Sequence, residues 1–178
     1  NLPGQFINVG IAEQNGILVA SGLAREGKRP FFYAIAPFAV MRPIELVRVN
    51  NAIMNIPITI VGVGAGFSYE DSGPTHHLLE DIALMRAFPN ITIHSTSDAA
   101  LAAAVAEQSC AWPNANYVRL DRQVLPDIHA GSKLDFQAGF ADLRPGKQAT
   151  LVATGYMVHK ALNVADLLKK DGIDLGVV

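Results

Sequence analysis

The side chains in this sequence that are the best candidates for catalysis or ligand binding lie in three separate stretches. Glu13 stands between the strand-like segment "FINVG" and an almost uninterrupted apolar segment, where a carboxylate needs a charged or hydrogen-bonding partner. His76 and His77 end a long polar loop, and Arg122 follows a short apolar run. Proton transfer by a carboxylate or histidine, and anion binding by an arginine, are the activities that these residue types support.

Two explanations account for Glu13 from the residues alone. In the first turn of a helix, a glutamate is stabilised by the helix dipole and by unpaired N–H groups, typically by about 0.3–1 kcal/mol. If the following helix, "GILVASGLA", is buried, a carboxylate without a partner would have a raised pKa, which is typical of functional sites. At this point both explanations are open.

The histidines and Arg122 have structural explanations as well. His76 and His77 suit either helix entry or substrate binding, and no third ligand nearby completes a metal site. Arg122 would either clamp an anion or pair with Asp121. The glycine-rich segment "GVGAG" at 62–66 lacks the third glycine of a dinucleotide-binding turn, so it predicts a loop. We therefore name no metal ligands from the sequence.

The elements that must position these residues alternate between strands and helices. Strands are predicted in "QFINVG", "FFYAIA", "ITIVGV", "ITIHS" and "NYVRL", and helices at 12–26, at 43–54, in "LLEDIALMRAF" and in "SDAALAAAVAEQ", capped by Ser97 or Asp98. Apolar strands between helices indicate an α/β fold with a doubly wound, mainly parallel sheet and helices on both faces. Ligands of such folds bind in loops beyond the carboxyl ends of the strands.

A change of composition predicts a boundary within the chain. We assign residues 1–125 to one α/β domain and the polar stretch 126–147, which contains Pro and Gly, to a linker. Residues 148–178 hold one fresh βαβ unit, which cannot enclose a core alone. We interpret this unit as the beginning of a second α/β domain that is truncated here.

Composition argues against several classes of function. Half of the 178 residues are hydrophobic, 17% are charged and the net charge is −2, so scattered Arg and Lys residues give no sign of nucleic-acid binding. No apolar run is long enough to span a membrane. The single cysteine, Cys110, excludes an internal disulfide and fits the reducing cytoplasm, where we expect it to be a small buried hydrophobe.

Four segments, in order, resemble the pyrimidine-binding domain of transketolase-like, thiamine-diphosphate-dependent enzymes. They are "INVGIAEQN", "GKRPFFYAIAPF", "EDSGPTHHLLEDIALMRAFPN" and "YVRLDR", and they extend from Phe6 to Arg122. "GIAEQ" is especially similar to 1-deoxyxylulose-5-phosphate synthase, whereas the "GPTH" spacing is shared with transketolases. The βαβ unit from Thr150 is similar to the start of that family's C-terminal domain.

The resemblance implies a cofactor site in the first half of the chain. Glu13 would hydrogen-bond N1′ of the aminopyrimidine of thiamine diphosphate and promote the imino tautomer, whose nitrogen removes the thiazolium C2 proton. Ile11, in the same motif, would also contact the cofactor. Phe38 would stack on the pyrimidine, with Phe32 or Tyr33 as alternatives if the alignment slips by a residue.

It also implies a substrate site beside the cofactor. His76 would be a catalytic residue facing the substrate, while His77 and Arg122 would bind it, Arg122 through a phosphate. Two departures from sugar transketolases leave the donor and acceptor open. Ser72 stands where those enzymes have an aspartate, with Asp71 offset by one, and "VG" at 63–64 replaces a substrate-binding histidine.

The resemblance also implies a partner domain, because the sequence lacks the family's diphosphate-binding motif. Members of the family bind the diphosphate through a divalent metal, Mg²⁺ or Ca²⁺, in a separate domain that begins with Gly-Asp-Gly, and this motif is absent here. That domain would lie on the same polypeptide or on a second subunit. The active site would then lie between domains of a homodimer or heterotetramer.

The expected function is that of the pyrimidine-binding part, or small subunit, of a transketolase-like transferase. It would move a two-carbon ketol or acyl unit from a ketose phosphate or a 2-oxo acid. The enzyme rivals are 1-deoxyxylulose-5-phosphate synthase and the β-subunit of a 2-oxo-acid dehydrogenase. A rival of another class is a non-catalytic α/β scaffold or regulatory subunit that binds no cofactor.

Overall fold

The main sheet has four strands, all parallel. The computed structural model describes residues 3–132 and 134–178. The strands are β1 (Phe31–Ile35), β2 (Thr59–Val63), β3 (Ile91–Ser95) and β4 (Ala115–Leu120). Their order is β1-β2-β4-β3, so β4 lies between β2 and β3 although it comes last along the chain. The prediction of a doubly wound, mainly parallel α/β sheet is confirmed.

Helices connect these strands. They are α1 (Glu13–Arg25), α2 (Ala36–Val40), α3 (Ile44–Leu46), α4 (Asp81–Arg86) and α5 (Ala99–Ser109), with a π-helix at Val47–Ile53 and short 3₁₀ helices at Pro3–Gln5 and Glu70–Ser72. The helix predicted at 43–54 is therefore divided. Pro43 lies in the turn before α3, and the second half has the wider π geometry, which often occurs near functional sites.

Helix α1 packs closely on β1. Its buried residues recur at helical spacing and form one face: Gly16, Ile17, Ala20, Ser21 and Ala24. A Cβ added to Gly16 would lie 2.4 Å from Cε2 of Phe32, so only glycine permits this approach. Since Glu13 begins the turn that contains Gly16, the contact also sets the position of the Glu13 carboxylate.

A buried polar group ties α4 to the centre of the sheet. The Tyr117 hydroxyl donates to Oδ2 of Asp81 at 2.8 Å, and Nε of Arg119 donates to the same oxygen at 2.7 Å. Burial and the adjacent negative charge of Asp81 raise the pKa of Tyr117, so its hydroxyl remains protonated and continues to donate.

Two local predictions were wrong. In the segment "QFINVG", Gln5 is the last residue of the 3₁₀ helix Pro3–Gln5, and residues 6–10 are irregular. No strand among the described residues pairs with it, and Phe6 is 76% exposed, so neither hydrogen bonds nor burial favour a strand there. Cys110 is exposed at the end of α5 and is not a buried hydrophobe.

The last part of the chain forms a small βαβ unit. It consists of β5 (Ala149–Leu151), α6 (Met157–Lys169) and β6 (Leu175–Val177), and the two strands pair in parallel. Its buried residues make a separate cluster: Ala161, Ala165, Leu175 and Val177. No helix of the described residues is both long and apolar enough to cross a membrane.

Asp98 fastens the segment after β4 to the main sheet. One carboxylate oxygen caps α5 by accepting from the Leu101 N–H at 2.7 Å. The other accepts from the backbone N–H groups of Ile128 and His129, each at 2.7 Å. Asp98 is thus the helix cap, which resolves the alternative between Ser97 and Asp98, and it holds residues 128–129 against the domain.

Candidate active site

The candidate residues gather at the carboxyl ends of three neighbouring strands. Phe38 lies in α2 directly after β1, His76 in the loop after β2, and Arg122 just beyond β4. Since β1, β2 and β4 are adjacent in the sheet, their loops meet along one edge. Glu13, at the start of α1, comes to the same place because α1 packs on β1.

Glu13 has a charged partner within the chain. Nη1 of Arg42 lies 3.0 Å from Oε1 and 2.9 Å from Oε2 of Glu13. Burial acts to raise the pKa of Glu13, but the hydrogen bond and charge of Arg42, with a backbone hydrogen bond, outweigh it and the pKa is lowered. A raised pKa, as expected for a carboxylate without a partner, therefore does not apply in this chain.

Phe38 connects Glu13 to the histidine loop. The guanidinium carbon of Arg42 lies 4.1 Å from the centre of the Phe38 ring, and the His76 ring meets Phe38 edge-on at 5.2 Å. The two alternative aromatic residues lie elsewhere. Phe32 belongs to the hydrophobic core against α1, and the Tyr33 side chain, on the opposite face of the same strand, is 64% exposed.

The loop that carries His76 is pinned at its base. Gly66 and Leu78 exchange two backbone hydrogen bonds, of 2.7 and 3.0 Å, which close the loop between them. Inside it, Thr75 Oγ1 lies 3.0 Å from Nδ1 of His76, and the Tyr69 ring lies 6.0 Å from the His76 ring. The His76 side chain is therefore supported on several sides.

Tyr69 fills a space that glycine leaves open. A Cβ on Gly64, whose φ is +76°, would lie 2.0 Å from Cε2 of Tyr69. Gly64 is one of the two residues, 63–64, at which the resemblance would place the substrate-binding histidine of transketolases. Here a tyrosine from later in the loop packs over the glycine.

Arg122 pairs with Asp71 and stacks on Tyr69. Its Nη1 lies 3.3 Å from Oδ1 of Asp71, and its guanidinium carbon lies 4.7 Å from the centre of the Tyr69 ring. Asp121 instead accepts from the Ser68 hydroxyl and from the backbone N–H of Arg122. Because Arg122 is 47% and Asp71 69% exposed, this ion pair is weak and open to an incoming anion.

Two other predicted residues lie apart from these contacts. The His77 ring meets Phe67 edge-on at 5.1 Å, and its Nε2 is buried without a hydrogen-bond partner among the described residues. Ile11 is 91% exposed. The structure thus brings Glu13, Phe38 and His76 together, and it places His77 and Ile11 at the margins.

The main cavity of the chain does not include the candidate site residues. A cavity of about 380 Å³ lies elsewhere, between β3, the segment after β4 and the βαβ unit, and none of the predicted site residues lines it. Among residues 3–132 and 134–178, no group of three or more potential ligand side chains is placed to hold a metal ion.

Arg42 and Tyr69 were missed by the sequence reasoning. A signal for Arg42 existed, because Phe38 and Arg42 are four positions apart, the spacing that makes side chains neighbours on a helix. Tyr69 had a weaker signal, since the glycine at 64 removes a side chain that a nearby aromatic ring can replace. Neither of these sequence patterns predicts which residue Arg42 or Tyr69 will contact.

Family models match both parts of the chain. Residues 2–127 match the pyrimidine-binding domain of transketolase. The chain belongs to the transketolase family. Residues 140–178 of this transketolase-family chain match the C-terminal domain of transketolase. The resemblance drawn from the motifs is therefore confirmed.

Proteins similar to this chain include enzyme subunits. One subunit of the apulose-4-phosphate transketolase of Phocaeicola vulgatus is 35% identical over 178 residues, covering 99% of this chain and 57% of that protein. A solved structure of a split-gene transketolase, described as an inactive beta4 tetramer, has a TM-score of 0.87 and 35% identity over 98% of this chain and 56% of its own. The chain spans about half the length of these relatives.

A relative of a different activity is equally similar in identity. 1-Deoxy-D-xylulose-5-phosphate synthase 2 of Geobacter sulfurreducens is 35% identical over 186 residues, which cover 99% of this chain and 28% of that protein. The shared segment is therefore common to a synthase of this kind and to transketolase subunits.

Proposed function

We propose that this chain supplies the pyrimidine-binding half of a thiamine-diphosphate site in a transketolase-like enzyme, as its small subunit or as the corresponding domain. The observation that carries the proposal is that Glu13 and Phe38 both contact one flat cation, the guanidinium group of Arg42. Arg42 lies with one nitrogen 2.9–3.0 Å from the carboxylate oxygens and with its guanidinium carbon 4.1 Å from the ring centre.

These residues fit an aminopyrimidine. Such a ring is flat and aromatic, so one face stacks on Phe38 while a ring nitrogen at the edge meets a carboxylate. Glu13 would hold N1′ by sharing a proton with it, in a partly buried place where such hydrogen bonds are strong and directional. When bound, the cofactor supplies the nucleophilic carbon and the electron sink of the reaction.

The other candidates would act on the substrate. His76, whose ring contacts Phe38, would face the reacting group and move or hold a proton there. Arg122 would exchange its exposed partner Asp71 for a substrate phosphate or carboxylate. His77 would assist at the rim, and Ile11 would contact the cofactor once a second domain covers it.

A second domain or subunit would complete the site. We propose that it holds the diphosphate through Mg²⁺ or Ca²⁺ and that the assembly is a homodimer or heterotetramer in the cytoplasm. The similarity to a subunit of apulose-4-phosphate transketolase supports a separate polypeptide for it. Residues 126–147 would serve as the linker between the pyrimidine-binding domain and the beginning of the C-terminal domain.

The proposed reaction is transfer of a two-carbon ketol unit from a ketose phosphate to an aldehyde acceptor, in which the C2–C3 bond of the donor is broken, a shortened aldose is released and a new C–C bond forms to the acceptor. A 1-deoxyxylulose-5-phosphate synthase activity, which would start from a 2-oxo acid, is the second candidate because of the similarity to the Geobacter sulfurreducens enzyme. Tyr69 packed over Gly64 supports a substrate pocket that differs from that of ordinary sugar transketolases.

The test is an activity screen of the assembled enzyme. The chain would be co-expressed with a diphosphate-binding subunit and assayed with ketose phosphates and 2-oxo acids as donors and an aldose phosphate as acceptor, in the presence of thiamine diphosphate and Mg²⁺. Turnover with ketose phosphates supports the first candidate, and turnover with 2-oxo acids only supports the second. A complex that binds no cofactor and turns over neither class would indicate a non-catalytic scaffold.

A further inference from the structure

Arg42 occupies the space between the two side chains that would hold the pyrimidine. It contacts both oxygens of Glu13 through Nη1 and covers the Phe38 ring with its guanidinium group. A flat cation placed over an aromatic face and hydrogen-bonded at its edge uses the same two kinds of contact as an aminopyrimidine. The two groups therefore compete for the same partners.

The arginine is also placed where it can leave. Its Cα lies in the turn at 41–43, between α2 and α3, and its side chain is 46% exposed while that of Glu13 is only 13% exposed. Ion pairs with one exposed partner are weak because solvent competes for the charge. The guanidinium can thus rotate into solvent without disturbing α1 or the sheet.

We propose that Arg42 is an internal competitor of the cofactor, which fills the pyrimidine site in the unloaded chain and is displaced when thiamine diphosphate binds. This inference rests on the proposed function. In the unloaded state the arginine neutralises the Glu13 carboxylate and covers the Phe38 ring, so neither is left uncompensated. Binding of the cofactor then requires the open state, and its apparent affinity is reduced by the fraction of closed molecules.

The inference predicts a gain of affinity on removal of a positively charged residue. Thiamine diphosphate with excess Mg²⁺ would be titrated by calorimetry into the chain assembled with its diphosphate-binding subunit. Arg42→Ala should lower the Kd by roughly 3- to 10-fold, the scale of one weak ion pair plus one cation–π contact. Arg42→Lys should have a smaller effect, because lysine keeps the charge but has no plane to stack.

Two controls separate competition from a general charge effect. Arg48→Ala removes a nearby exposed arginine that forms no ion pair among the described residues, and it should leave the Kd unchanged. Methylguanidinium binds the same open site in both proteins, so a concentration that raises the apparent Kd of Arg42→Ala by roughly 3- to 10-fold, to the wild-type value, should raise the wild-type Kd by less than about twofold. A purely structural role for Arg42 would not produce this rescue.

The outcomes are distinguishable. If the wild-type complex binds the cofactor and a folded Arg42→Ala complex binds it equally or more weakly, the inference is overturned while the proposed function stands. If Arg48→Ala lowers the Kd as much, the effect is one of net charge and the inference also fails. If no wild-type complex binds the cofactor, both fall together. Should Arg42→Ala not fold, Arg42→Gln carries the same expectation, and an unchanged Kd there contradicts it.

Discussion

At the scale of single residues, the proposal depends on the carboxylate of Glu13. Its pKa is lowered in this chain, so at neutral pH it is ionised and able to accept a proton or a hydrogen bond. Glutamine has nearly the same shape and still forms hydrogen bonds, but it cannot take up the proton. Replacing Glu13 with Gln therefore separates proton sharing from the packing of the site.

Glu13→Gln should lower turnover of the assembled enzyme by about 10²–10⁴-fold, the usual scale of general acid–base assistance. Cofactor binding should persist, because Phe38 and the partner's diphosphate site remain. The measurement is the turnover number at saturating cofactor, with Glu26→Gln as a control that removes an exposed carboxylate just beyond the other end of the same helix. Wild-type turnover in Glu13→Gln would rule out the proton-sharing role.

At the scale of elements, the position of Glu13 is set by close contact between α1 and β1. Gly16 lies against the Phe32 ring. Gly22 is six residues further along the same helix, and a Cβ added there would have no neighbouring atom within 4 Å. The two glycines therefore give a matched pair, in which the same substitution meets a buried ring at one site and open space at the other.

Gly16→Ala should destabilise the chain by about 1–3 kcal/mol, the usual cost of overpacking a core, and should displace the start of α1. Gly22→Ala should stabilise it by up to about 1 kcal/mol, since alanine favours the helix more than glycine does. Urea unfolding of both variants measures these changes. Equal stability of the two variants would mean that the helix and strand do not need this close approach.

Asp98 is a second element-scale feature, and its effect depends on pH. Burial acts to raise its pKa, but the backbone N–H groups of Leu101, His129 and Ile128 outweigh this, so the pKa lies below the ordinary value of 3.8. A group whose pKa is lower in the folded state contributes stability above its ordinary pKa and loses it as the pH falls through the folded value.

Asp98→Asn should therefore destabilise the chain by about 2–4 kcal/mol at neutral pH, since several hydrogen bonds to a charged group are weakened. The difference from wild type should be complete above about pH 4 and should shrink as the pH falls from there through the lowered folded pKa, because the unfolded chain takes up the proton first. Urea unfolding at both pH values tests this, with the exposed Asp127→Asn as control. A difference that is independent of pH would show that the charge of Asp98 is not what holds residues 128–129.

The elements were largely predictable, because strands and helices leave a local pattern. β3 in "ITIHS", α1 and the Asp98 cap followed from periodicity and capping residues. The prediction of a strand in "QFINVG" was wrong, because a strand requires a neighbouring strand as its partner and a local sequence pattern does not specify one. The Arg42–Glu13 pair, 29 positions apart, was missed for the same reason: its geometry arises only after α1 and α2 have packed on the sheet.

At the scale of the whole molecule, several apolar side chains close to the candidate residues along the chain are exposed. They are Ile11, Met41, Phe67 and Leu79. Contiguous exposed apolar surface is typical of interaction sites, and obligate subunit interfaces commonly bury more than about 2,000 Å². We therefore expect the isolated chain to self-associate, which sedimentation velocity would measure.

The central claim is that this chain holds one half of a cofactor site. The most direct test is calorimetric titration of thiamine diphosphate with Mg²⁺ into the isolated chain and into its complex with a diphosphate-binding subunit. The account predicts no measurable binding to the isolated chain and saturable binding to the complex. Cofactor binding should also stabilise the complex by mass action. Tight binding to the isolated chain, or a stable complex that binds none, would contradict it.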